Sequence, residues 1–389
     1  MRIFISTGEV SGDLQGSLLV TALKRQAAAA GLELEIVALG GEKMASVGAI
    51  VIGNTSEIGS VGILESLPYV LPTLRMQRQA IAYLKQNPPD LVILIDYMGP
   101  NLGIGNYVRL NLSQIPIVYY IAPQEWVWSV NSRNTNLIVS ITDKLLAIFP
   151  EEARYFQEKG AKVTWVGHPL VDRVQNFPSR EAARANLGIA EDVISVALLP
   201  ASRRQELKHL LPVMFQAAQV IQAKLPHVHF WIPLSLEIYR KPIEQAIHRY
   251  GLRASVVSGK TQEVLAAADL AITKSGTVNL ELALLKVPQV VLYRLHPITA
   301  WIARTVLKGS IPFASPPNLV VMKPIVPEFL QEKATPENVI QAALELLLNP
   351  KRKQQMLEDY QEMRQCLGEV GVCDRAAKEI LQMLPHCEH

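Results

Sequence analysis

Short apolar runs separated by longer amphipathic stretches recur along this chain. RIFIS, LEIVALG, LVILID, IPIVYYIA, KLLAIF and KVTWVG succeed one another through the first 167 residues. Their apolar positions are continuous rather than alternating, which predicts strands buried on both faces. Between them lie segments such as LQGSLLVTALKRQAAAA, with helical spacing and helix-forming composition. The alternation is βαβ, so the sheet is expected to be parallel.

The series breaks around GHPLVDRVQNFPSREAARANLG and resumes with ISVALLP, VHFWIPL, ASVVS, DLAIT and VPQVVLYR. A second α/β domain is therefore expected, with the join near residues 167–180. Beyond about residue 335 the pattern is helical to the end. These breaks divide the chain into a first domain at 1–172, a second at 173–345 and a helical segment at 346–389. In open parallel sheets, ligands sit beyond the carboxyl ends of the strands. Loops at those ends are where chemistry is sought.

Composition narrows the classes. With 389 residues, 49% hydrophobic and 19% charged, the chain suits a globular protein of two domains. Its 38 basic against 35 acidic residues leave a net charge of +3, too small and dispersed for a nucleic-acid binder. The start has no basic leader or cleavage site, and no apolar run approaches the roughly 18 residues of a spanning helix. The expectation is a cytoplasmic or peripheral protein. Three cysteines, Cys366, Cys373 and Cys387, lie near the C-terminus without CxxC spacing, which reads as reduced structural thiols. Eight scattered histidines and no HExxH argue against a metal, and His168 reads as a hinge or core residue. No GxSxG elbow is present.

Four loops at strand ends carry candidate chemistry. STGEVSGD places Gly8 and Gly12 around Glu9 and Ser11, with Asp13 following. It lacks the spacing of a dinucleotide fingerprint or a phosphate loop, and its two acids would repel phosphate. Sugar hydroxyls are better partners for them; the alternative is that Ser11 or Asp13 caps the helix. LVILIDYMGPN delivers Asp96 at a strand end, placed as a general base, or else as a turn former. LLPASRRQE offers Ser202, Arg203 and Arg204 to a diphosphate, with Glu206 as a cap or a holder of arginine; the bland reading is a solvated first turn. AITKSGTVNLELALL puts Ser275, Gly276 and Thr277 at a helix start, with Glu281 one turn on, where phosphate and ribose would lie side by side, unless the loop merely caps the helix.

Taken together, these motifs resemble the lipid-A-disaccharide synthase family. GEVSGDLQGSLL is similar to its GEASGD opening, and GGEKMASVGA, VGILESL, YYIAPQEWVWSVNSRNTNLI, LLPASRRQE, SGTVNLELALLKVPQVVLYRL and PPNLV follow in family order over most of the chain. The resemblance implies a GT-B fold: two facing Rossmann-like parallel-sheet domains of α/β class, with a C-terminal helix returning to the first. It implies an inverting transfer without metal or other cofactor. UDP-2,3-diacylglucosamine would be the donor, 2,3-diacylglucosamine 1-phosphate the acceptor, and the β-1,6-linked disaccharide 1-phosphate and UDP the products.

Residue by residue, the resemblance makes Asp96 the base, Glu9 and Asp13 its accompanying acids, and Arg203 the diphosphate arginine. Ser275, Gly276, Thr277 and Glu281 match the family's SGT segment and downstream glutamate, and Asn318 matches its LPN turn. Departures from the family pattern are Met98, Gly99, Pro100 and Asn101 for P-x-F-N and APQEWVW for SPSVWAW on the acceptor side, and PASRR for PGSRG; Asn101 is expected to touch substrate. They keep open a different lipid acceptor, beside a UDP-sugar 2-epimerase and a non-catalytic UDP-sugar sensor.

A lipid substrate also calls for a membrane surface. LPYVLPTLRMQRQAIAYLK carries Arg75, Arg78 and Lys85, and YRLHPITAWIARTVLK carries Trp301, Ile302, Arg294, Arg304 and Lys308 among apolar residues. The expected location is the inner face of the cytoplasmic membrane. The resemblance also admits a homodimer.

Overall fold

Each apolar run of the sequence is a strand of a parallel sheet. The computed structural model describes residues 1–55, 69–128, 132–200, 204–294 and 313–385. Among them, β1 (Arg2–Ser6), β2 (Glu35–Gly40), β3 (Ile50–Asn54), β4 (Leu91–Ile95), β5 (Ile117–Tyr120), β6 (Lys144–Ala147) and β7 (Val163–Trp165) form one sheet. Their order is β3-β2-β1-β4-β5-β6-β7. A second sheet contains β8 (Ile194–Leu199), β9 (Val228–Pro233), β10 (Ala254–Val257), β11 (Leu270–Lys274), β12 (Gln289–Tyr293) and β13 (Glu328–Leu330). It runs β10-β9-β8-β11-β12-β13.

Burial explains the continuous apolar runs. All five residues of β4 are buried, because helices cover both faces of a parallel sheet. Ile3 of β1 pairs with Ile36 on one side and Leu91 on the other, so the first strand is central. Phe4, Val92, Leu94, Ile117, Tyr119 and Phe156 pack into the core of the first sheet. In the second, Ala197, Leu265, Ala271 and Leu282 pack together. Strands β3 and β13 were not among the expected elements. Both are short edge strands whose residues are largely half-exposed or exposed.

The chain divides into two units, Met1–Asp172 with Leu367–His389 and Arg173–Cys366. The expected helical segment from residue 346 is thereby split. Its helix Pro350–Cys366 belongs with the second unit, where buried Tyr360 donates to the Val287 carbonyl at 3.3 Å and accepts from Gln289 Nε2 at 3.1 Å. Only the last helix, Val372–Leu381, lies in the first unit, against the helix Glu9–Ala29. Asp172 anchors that return by accepting the N–H groups of Gly371, Val372 and Cys373 at 2.6, 3.2 and 2.8 Å. These are donors the helix itself leaves unpaired. Asp374 adds an ion pair to Arg25 at 2.6 Å.

Replacing Asp172 by Ala removes all three acceptors. The expected loss is about 1–2 kcal/mol of local stability. Hydrogen exchange should show the amides of 371–373 and the last helix losing protection before the central strands; unchanged protection would contradict the capping role.

Candidate active site

Strand order in the first unit reverses between β1 and β4. This is where an open α/β sheet has its ligand crevice. The turn after β1 and the start of the helix Glu9–Ala29 carry Gly8 to Asp13, and the turn after β4 and the start of the helix Met98–Asn111 carry Asp96 to Asn101.

Four non-glycine residues just beyond the carboxyl ends of β1, β4 and β5 have left-handed backbones: Glu9 at φ 61°, Asp96 at 47°, Tyr97 at 45° and Ile121 at 60°. Such conformations cost on the order of 1–3 kcal/mol each and persist only where the surroundings fix them. Here the fixing bonds are visible. The Asn101 amide donates to the carbonyls of Ile95 at 3.0 Å, Asp96 at 2.8 Å and Ser6 at 3.3 Å, while its oxygen accepts from Ser6 Oγ at 2.7 Å. Tyr119 donates its hydroxyl to the Asp96 carbonyl at 2.9 Å, and the Asp96 N–H donates to Ile121 at 2.9 Å. Asn101 was expected to touch substrate. It is instead fully buried, with its amide engaged in joining the two strand ends.

The side chain of Asp96 keeps an open face to solvent. Even so, the protein around it removes enough water to lift its carboxyl to about 6, and the charge of Glu9 adds to the rise; the Tyr97 N–H acts in the opposite direction. A carboxyl so placed is ionised near neutrality and basic enough to accept a proton. Glu9, half-buried, thus stands close enough to Asp96 to influence it.

The other acid of the opening loop does something else. Asp13 is buried, at 3% exposure, and its carboxylate accepts from the N–H groups of Gly41, Lys43 and Met44 at 2.8, 3.0 and 3.1 Å. It caps the short helix Glu42–Ser46, so its assignment beside the catalytic base is corrected. The glycines serve close packing. Gly8 has an ordinary extended backbone at φ −130°, but a Cβ there would fall 2.3 Å from the Tyr97 ring. A Cβ at Gly12 would lie 2.0 Å from Thr7 Oγ1. Ser11 stands half-exposed in the first helical turn.

Several contributors escaped the motif reading. Tyr97 supports Gly8 with its ring and exchanges a hydrogen bond with Thr73 at 3.1 Å. Glu152, nearly buried, accepts from Ala122, Ile148 and Phe149 at 3.0, 2.8 and 3.2 Å, and burial lifts its carboxyl to about 7 despite those bonds. It fixes the start of the altered APQEWVW segment. The signal was present, since Pro150 followed two residues later by Glu152 is a helix-start pattern. Within that segment, buried Glu125 is joined by Asn134 at 3.3 Å. His168 is buried and pushed down to about 3 by loss of solvent, a neutral core histidine as read from the sequence.

In the second unit the order reverses between β8 and β11. Ser202 and Arg203 lie outside the described residues. Ser275 donates its hydroxyl to Ala314 at 2.6 Å, and the Gly276 N–H donates to Asn279 Oδ1 at 2.7 Å. Both are engaged within the protein, which revises the small anion site expected of their donors. Thr277 immediately precedes the helix Val278–Leu284 and is half-exposed. Glu281, expected to accept from ribose, is buried at 6% exposure beside Arg173 at 3.2 Å; burial raises its carboxyl and Arg173 opposes the rise. Glu206 accepts from Lys274 Nζ, which lies 3.0 Å from its Oε1. Asn318 is fully buried and bonded to Val326 at 2.8 and 3.0 Å and to Glu328 at 3.1 Å, so it orders a turn from inside.

A family model described as Lipid-A-disaccharide synthetase matches residues 3–383. Proteins called lipid-A-disaccharide synthase are similar over their length: that of Gloeothece citriformis is 62% identical, covering 98% of this chain and 99% of its own. Those of Synechocystis and Myxococcus xanthus are 56% and 33% identical, with 98% and 99% of this chain covered and 98% of each of theirs. Among solved structures, UDP-GlcNAc 2-epimerase from Neisseria meningitidis bound to UDP-GlcNAc superposes with a TM-score of 0.67 at 13% identity, covering 98% of this chain and 100% of its own. The glycotransferase of kitacinnamycin superposes at 0.59 with 17% identity, covering 99% of each. At such identities the likeness speaks for the fold, which is the GT-B-like α/β arrangement.

Asp13→Ala should act through stability. Loss of three N–H acceptors from a buried site is expected to cost about 1–3 kcal/mol, read as a lowered denaturation midpoint. A variant that melts like the parent yet has lost turnover would restore Asp13 to the chemistry.

Proposed function

This chain belongs to the lipid-A-disaccharide synthetase family, and from that premise we propose how its residues carry the reaction. It is a glycosyltransferase of lipid A biosynthesis. The donor is a UDP-sugar and the acceptor a lipid, specifically UDP-2,3-diacylglucosamine and 2,3-diacylglucosamine 1-phosphate. The acceptor belongs to the first unit and the donor to the second.

One observation carries the mechanism: an ionisable Asp96 at the strand-order reversal, held in a left-handed backbone and with its pKa lifted to about 6. The acceptor 6-hydroxyl attacks the anomeric carbon of the donor while Asp96 takes its proton. The bond from that carbon to the UDP oxygen breaks with inversion, and the electron pair leaves with UDP. Glu9 raises the basicity of Asp96 by repulsion, so it tunes the base without receiving the proton. Arg203 and the SGT segment are assigned to the departing nucleotide.

Membrane contact is supported on the helix Val70–Gln86. Val70, Leu71 and Leu74 stand 46%, 67% and 41% exposed, next to exposed Arg75 and Arg78. Apolar residues flanked by cations suit the surface of an anionic bilayer. Among the described residues no helix is long and apolar enough to cross one. The stretch with Trp301, Ile302, Arg304 and Lys308 falls outside the described residues, while Arg294 is tied to the carbonyls of Gln331 and Ala334. The epimerase and sensor readings have no comparable support, because the likeness to epimerases is one of fold.

Purified protein given both acylated glucosamines should release UDP and form the disaccharide 1-phosphate, and should leave the donor unchanged when no acceptor is present. Absence of disaccharide would sink the assignment. Asp96→Asn should lower kcat by about 10²–10⁴ with donor binding preserved.

The pH profile carries a separate expectation. Asp96 works as a carboxylate, so kcat/KM should fall as pH drops through about 6 and level off above it. Glu9→Gln removes a repelling charge and should move that limb to lower pH. A limb that stays in place in Glu9→Gln would show that Glu9 does not tune the base.

A further inference from the structure

We propose that Lys274 is the residue whose ammonium binds the diphosphate of the donor in the second unit, with Glu206 as its positioning partner. The proposal rests on the reading that this unit takes a UDP-sugar.

Lys274 is the last residue of β11, the strand beside β8 where the order of the second sheet reverses. Any ligand following the rule for open α/β sheets meets this strand end. Its Nζ lies 3.0 Å from Glu206 Oε1, in the first turn of the helix Arg204–Lys224. The two side chains retain 17% and 19% of their exposure, so the pair is sheltered but still reached from solvent. A Cβ built on Gly276 would stand 3.5 Å from the same nitrogen. The ammonium thus lies over the glycine of the SGT segment, and the missing side chain leaves room beside it.

Three donors of this loop are already engaged within the fold. The Gly276 N–H goes to Asn279, the Ser275 hydroxyl to Ala314 and the Ser275 N–H to Leu292. The helix that follows, Val278–Leu284, has only seven residues. Among the described residues, Lys274 brings positive charge beside this segment. An ammonium has three donors, and with one directed at Glu206 two remain for phosphate oxygens. Charge-assisted bonds of that kind are about twice as strong as neutral ones. Glu206 compensates the cation when the site is empty and holds Nζ at the strand end, which limits the side-chain freedom lost on binding.

The test separates the phosphates from the base. UDP and uridine are titrated against the parent protein, Lys274→Met and Lys274→Arg. Methionine keeps an unbranched stem without charge, and arginine restores a cation. Lys274→Met should weaken UDP by at least about tenfold, the factor corresponding to ~1.4 kcal/mol, leave uridine unchanged, and be recovered in part by Lys274→Arg. Parent-like UDP affinity in Lys274→Met overturns the proposal, as does an equal loss for UDP and uridine, which would mark a structural role. If the parent itself fails to bind UDP, the donor assignment falls instead.

Discussion

Asn101 ties together the place on which the first unit's chemistry depends. One buried amide bonds to Ser6 at the end of β1 and to Ile95 and Asp96 at the end of β4. Neighbouring parallel strands end in loops that diverge, and nothing in the ladder itself fixes the backbone past the last pair. The Asn101 contacts do so. They hold Asp96 and Tyr97 in a backbone conformation that side chains rarely adopt, and Tyr119 and Ile121 reinforce them from β5 and its end. A base must be fixed in position to be useful, and here the strain is borne by a dense set of short hydrogen bonds.

From that anchor the acids of the opening loop separate into two roles. Glu9 stays near Asp96, and its negative charge helps to make that carboxyl more basic. Asp13, four residues later, satisfies three N–H groups of a neighbouring segment. Carboxylates so close in the chain differ because one faces a site and the other an unpaired helix end. Gly8 and Gly12 make the arrangement possible by leaving space for Tyr97 and Thr7.

The second unit shows the same economy with a different outcome. Residues that a motif reading would turn toward a nucleotide are occupied within the fold: Ser275 by Ala314, Gly276 by Asn279, Glu281 by Arg173 and Asn318 by its own turn. A buried polar group must find a partner, and those nearest a loop are its own neighbours. Among the described residues, the strand end itself carries the cation Lys274 with its carboxylate partner. Its importance lies in charge, which internal hydrogen bonds to neutral groups cannot replace.

Sequence alone determined the two parallel sheets, because continuous apolar runs such as LVILI are what burial on both faces demands. It also placed Asp96 and the SGT segment at strand ends, since chain order and the βαβ pattern dictate which loops share an edge. Short edge strands such as Glu328–Leu330 were not legible, as half-exposed residues carry no such pattern. Nor were the tasks of Asp13, Asn101 and Asn318. A side chain's residue type says which bonds it is able to make. Which bonds it does make depends on residues distant in the chain, such as Gly41 for Asp13 and Ser6 for Asn101, and only the tertiary structure brings those within reach.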